Sequence, residues 1–191
     1  MYPVTGAVES QGEIEVKTDN LRYPIGPLRV QSSLSDGERR RAIEEIAALP
    51  AELRNTVAGL TNAQLATPYR PGGWTVRQVV NHIPDSHMNG YVRFKLAVTE
   101  DEPTVKTYDE AAWAELADGR EGDIEVSLRL LEALHERWVT VLRSMSPAQF
   151  QRILRHPELG TISAESYLQT YAWHGRHHLA HISGLIEREG W

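Results

Sequence analysis

Ile43, Ile46, Pro50, Leu53, Val57 and Leu60 recur at alternating steps of three and four, the period of one face of an α-helix. Leu128, Leu131, Leu134, Trp138 and Leu142 give a second amphipathic run of the same kind. Faces of this type are buried only against one another, so the chain is constrained toward packed helices. Pro50 lies inside the first run, which predicts one long helix bent near Leu49.

The signals between these runs place the remaining elements. Thr61 and Gln64 suit a short capped turn, and PYRPGG at 68–73 reads as a rigid loop. Thr75 and Gln78 form a capping box with Trp74 and Val79 at the staple positions, predicting a helix from Val76 to about Val98. Pro84 predicts a kink or local unwinding in it. Residues 100–122 carry Pro103, Gly119 and Gly122, with one short helix expected in YDEAAWAEL. A third long helix follows Asp123, and Ser146, Pro147 and Gln149 start another short one. HPELGT reads as a turn, and Ser163 caps a last helix running to about Arg188. No run of alternating strands stands out. The expected fold is an all-α four-helix bundle with long connections and short extra helices, and the long link between helices two and three predicts a crossover there.

At 191 residues and 41% hydrophobic content the chain supports one substantial core, expected over 21–191. Residues 1–20 are polar, acidic and aperiodic, which predicts a mobile extension, and LRYPIGPLRV should lie extended over the domain surface. A net charge of -6 opposes nucleic-acid binding, and Arg39, Arg40 and Arg41 are diluted by Glu38, Glu44 and Glu45. No apolar run approaches the roughly 20 residues that span a bilayer. The N-terminus also lacks a basic region followed by an apolar core, so a soluble cytoplasmic protein without membrane partners is expected. The absence of cysteine excludes thiolate ligands and a cysteine nucleophile, leaving histidine and carboxylates for any metal.

Four of the eight histidines, His174, His177, His178 and His181, fall within YAWHGRHHLAHISG. With His174 at zero on a helical wheel, His178 falls near about 40°, His181 near 340° and His177 near 300°. The apolar stripe of Leu168, Tyr171, Leu179, Ile182, Leu185 and Ile186 is centred close to about 90°. His174 and His178 therefore share the i, i+4 spacing that lets two imidazoles converge on one ion, and they face the interior. His177 and His181 have the same spacing in a more exposed direction. The third candidate ligand is His82, among Val79, Val80 and Ile83 on helix two. His87 ranks second, being rotated away from His82 on a regular helix. Asp85, one turn from His82, can orient an imidazole or serve as a base. His135 and His156 read as structural or surface residues.

GGWTVRQVVNHIPDSHMNGYVRFKLA together with WHGRHHLAHI resembles the DinB-like superfamily, in particular its YfiT branch of metal-dependent hydrolases related to bacillithiol transferases. The similarity runs from Leu21 to Trp191 and includes LRYPIGPL, TPYRPGGW and the terminal GW. It implies a four-helix bundle, a homodimer, and one divalent ion per chain, zinc or nickel, on three histidines that match His82, His174 and His178. Asn81 and Pro84 depart from the branch pattern around the first of these.

Three neutral imidazoles leave coordination positions open, as catalytic sites require. Such an ion can activate water for hydrolysis of a small-molecule substrate, the first expectation for this chain. The same open site can bind a thiol, so transfer of bacillithiol or another low-molecular-weight thiol to an electrophile is the second. A non-catalytic metal-binding or dimerisation module is the third.

Overall fold

The computed structural model describes residues 21–191, so the extension expected at 1–20 lies outside the described residues. The long helices are α1 (Asp36–Val57), α3 (Val76–Thr99), α6 (Ile124–Ser144) and α8 (Ala164–Glu189). Short helices α2 (Asn62–Leu65), α4 (Glu110–Ala114), α5 (Ala117–Glu121) and α7 (Pro147–Phe150) stand in the links. Local chemistry sets the starts: Ser35 with Glu38, Thr61 with Gln64, Thr75 with Gln78 and Ser146 with Gln149 each close a capping box.

Both internal prolines are carried within continuous helices. The unwinding expected at Pro84 does not occur, because Val79, Val80 and Ile83 are fully buried around it and packing holds the segment helical.

A two-stranded departure from the all-α expectation is a hairpin, β1 (Ile153–His156) against β2 (Gly160–Ser163), antiparallel with Leu154 opposite Ile162. The HPELGT turn is its tip. Leu154 is wholly buried, which anchors the hairpin to the bundle.

α1 packs against α6 and α8, and α3 packs against the same two helices. α1 and α3 therefore face each other diagonally, as do α6 and α8. The crossings are made by 58–75 and 145–163, whereas the expected crossover at 100–122 joins two neighbours, α3 and α6. Its length is used otherwise: Asn81 donates to the Asp118 and Gly119 carbonyls and Gln78 to the Ala114 carbonyl, fastening α4 and α5 back onto α3.

The segment before α1 lies along α8, as expected for its surface position, but it is not extended throughout: Leu21 and Arg22 are helical, and the Gly26 amide donates to the Tyr23 carbonyl in a turn. Trp173 Nε1 donates to the Gly26 carbonyl, and Gln31 and Gln169 exchange hydrogen bonds. Two apolar clusters fill the bundle, one around Phe94, Trp138 and Leu168, the other around Leu53, Val79 and Ile182. The histidines lie at their junction: His87 packs on Trp138 and Tyr171 of the first, and His82 on Trp74 beside the second.

Candidate metal centre

α3 delivers His82 and α8 delivers His174 and His178 one turn apart, and one ring nitrogen from each lies within 4.8 Å of the other two. The Nε2 atoms of His82 and His174 are 3.3 Å apart. Two nitrogens about 2.0–2.1 Å from a tetrahedral zinc are separated by about 3.4 Å, so the spacing fits one ion between them. His82 and His178 are buried, while His174 keeps partial exposure. Trp74, from the loop that enters α3, stands 4.7 Å from the His82 ring and closes one side.

Burial is the first cause holding these imidazoles neutral: it lowers His82 to about 4 and takes His174 and His178 well below the ordinary value. Neighbouring imidazoles reinforce this at His174 and His178. Neutral rings are the ligating form. Three nitrogen donors and no thiolate make a site for a borderline cation with open coordination positions.

Asp85 follows His82 by three residues on α3. Burial, then the charge of Asp118, raises it to about 6. Its carboxylate has no hydrogen-bond or ion-pair partner among the described residues. Ser86, which the sequence reading passed over, places Oγ 3.4 Å from His174 Nε2. Tyr108, also unforeseen, has a buried hydroxyl without a hydrogen-bond partner among the described residues. Its phenol is raised by burial and by Glu110. Ser86 could have been found as the residue four after His82 on one face; Tyr108 sits in an aperiodic link and gave no signal.

The remaining histidines separate clearly. His177 and His181 are not exposed as their wheel positions predicted, because the segment before α1 covers them. His181 Nε2 is 3.1 Å from the Arg22 carbonyl and its ring stacks on Tyr69 at 3.9 Å. His177 stacks on Trp173 at 4.3 Å, and burial lowers it to about 3. His156 is structural, its Nδ1 accepting from the Glu158 and Leu159 amides at the hairpin tip.

His87 does not point away from the site. Its Nε2 lies 3.1 Å from His174 Nδ1, behind the ligand, and its Nδ1 lies 2.9 Å from His135 Nε2. His135, read as structural, is buried and reaches the Ile46 carbonyl at 2.6 Å.

This geometry has known counterparts. The family profile of the DinB superfamily matches residues 45–182. OB0782 of Oceanobacillus iheyensis is 51% identical over 172 residues, covering 90% of this chain and 99% of its own. YfiT of Bacillus subtilis is 47% identical over 173 residues, covering 90% and 97%. Both carry the description of metal-dependent hydrolase as a provisional assignment. The solved structure of Bacillus subtilis YfiT, described as "a probable metal-dependent hydrolase with an unusual four-helix bundle topology", superposes with a TM-score of 0.88 over 90% of this chain and 99% of that one. With helices joined across the diagonal and histidines from α3 and α8 brought together, this chain belongs to the DinB superfamily.

Proposed function

We propose that this protein is a metal-dependent hydrolase acting on a small-molecule substrate, with one zinc or nickel ion held by His82, His174 and His178. The observation that carries the reading is the mutual approach of three neutral, largely buried imidazoles from two helices, at a spacing that fits a single ion. When bound, the ion supplies Lewis acidity that activates water near neutral pH.

The chain's own groups divide the remaining work. Asp85, three residues after His82 and raised to about 6, is the group we assign as general base. Ser86 Oγ, 3.4 Å from His174 Nε2, offers a hydrogen bond to a substrate oxygen beside that ligand. Trp74 packs on His82 and His178 and shields these two imidazoles from bulk solvent, while His174 keeps partial exposure.

The test is an assay of metal-loaded protein against esters, amides and epoxides, and against haloarenes with and without a low-molecular-weight thiol. Metal-dependent hydrolysis without thiol is expected. Conjugation only when thiol is present would replace hydrolysis by S-transfer, and metal binding without turnover on any arm would leave a binding module. The family resemblance also supports a cytoplasmic homodimer, which light scattering on the purified chain tests.

A further inference from the structure

Pro50 stands in the middle of α1, where it cannot donate a hydrogen bond to the carbonyl four residues back. That carbonyl belongs to Ile46, a residue 1% exposed, so a buried acceptor is released from the helix with no water to satisfy it. Its partner is His135 on α6, at 2.6 Å from Nδ1.

This contact fixes a direction. A carbonyl only accepts, so His135 carries its proton on Nδ1, and the neutral ring keeps a lone pair at Nε2. His87 Nδ1, 2.9 Å from that lone pair, must then be the donor. His87 Nε2 is left as acceptor, and His174 Nδ1, at 3.1 Å, donates to it. His174 Nε2 is thereby freed of its proton, and it is the nitrogen that faces His82 Nε2. One carbonyl at the start of the series determines the protonated nitrogen of every ring that follows.

Resting on the metal-centre reading above, we infer that His135 and His87 are positioning residues, aligned by the Ile46 carbonyl that Pro50 releases, which hold His174 as the Nδ1–H tautomer with Nε2 presented to the ion. A ligand so held needs no reorganisation on binding, and the donated Nδ1–H makes Nε2 more basic. His178 lacks this support, since its Nδ1 is buried without a hydrogen-bond partner among the described residues. The two α8 ligands are consequently unequal, with His174 the preorganised one.

Two measurements on the full chain test this. In ¹⁵N NMR of the metal-free protein, His135, His87 and His174 should each show Nδ1 protonated and Nε2 unprotonated. Protonation of His174 at Nε2 overturns the inference. Second, zinc affinity is measured by competition with a chromophoric chelator in His87→Phe and His87→Gln. The phenylalanine removes the acceptor while filling the space, and affinity should fall by about 10–100-fold. The glutamine oxygen can accept from His174 Nδ1, so most of that loss should be recovered. Wild-type affinity in His87→Phe, or no recovery in His87→Gln, overturns the inference. If wild-type protein binds neither zinc nor nickel, the metal-centre reading fails by itself, and the NMR measurement still decides the tautomer series. It also decides the matter if His87→Phe does not fold.

Discussion

The Nε2 atoms of His82 and His174 face each other at 3.3 Å, although 92 positions separate the two residues in the chain. His82→Ala, His174→Ala and His178→Ala should each strip the purified protein of its zinc or nickel, measured by elemental analysis. His177→Ala and His181→Ala should retain it. Metal surviving the joint loss of His174 and His178 but not that of His177 and His181 would reverse the ligand assignment.

Asp85, raised to about 6, is ionised only above that pH. A carboxylate acting as base therefore predicts a kcat/KM that rises through about pH 6 and then levels. Asp85→Asn should lower kcat by about 10²–10⁴-fold, the span of general-base catalysis, with metal content unchanged. A pH profile that is identical in the variant would show that another group titrates.

Glu165, 1% exposed, is neutralised by Arg39, whose Nη2 lies 2.6 Å from its carboxylate while a second nitrogen, Nε, also donates. Arg39→Ala leaves a buried charge without its partner and should cost about 3–5 kcal/mol in denaturant unfolding. Replacing both by apolar residues, Arg39→Met with Glu165→Leu, should lose far less.

A Cβ on Gly90 would lie 2.4 Å from Cζ of Tyr171, a buried ring whose hydroxyl donates to the Ser86 carbonyl. Gly90→Ala should therefore lower stability by about 1–3 kcal/mol, as overpacking does. Adding Tyr171→Leu should make the two losses less than additive, because the ring that is struck has been removed. Strict additivity in the double-mutant cycle would place the cost elsewhere.

Burial lowers His135 to about 4 from its ordinary value of 6.5, so the unfolded chain binds the proton first as pH falls. Stability of the metal-free protein should decline between about pH 6.5 and 4 and change no further from this group below that window. At 1.36 kcal/mol per unit, His135 accounts for about 3 kcal/mol of the decline. His135→Gln should flatten the slope measured by urea unfolding at several pH values.

Much of the bundle was legible because its helices state their own period and their own starts: Thr75 and Gln78 locate the start of α3, and Ser163 that of α8. The i, i+4 pair His174 and His178 was legible for the same reason, since spacing within a helix fixes direction. What escaped depends on partners distant in sequence. The strands of the 153–163 hairpin are too short to show alternation and are held by burial of Leu154. His177 and His181 are interior because Arg22 and Tyr23 cross them and Tyr69 stacks on His181, contacts no wheel contains. His135 acquires its hydrogen bond from a carbonyl 89 positions away, freed by a proline whose visible effect was expected to be a bend.

The diagonal placement of α1 opposite α3, and of α6 opposite α8, has a kinetic consequence. In an up-and-down bundle each hairpin of successive helices can form early from near neighbours in the chain. Here α1 packs chiefly on α6 and α8, so most of its native contacts close long loops before they return any burial. This chain should fold more slowly than an up-and-down bundle of equal length and helix content, with α3 and α6, the one sequential pair of long helices that pack together, as the natural place to begin.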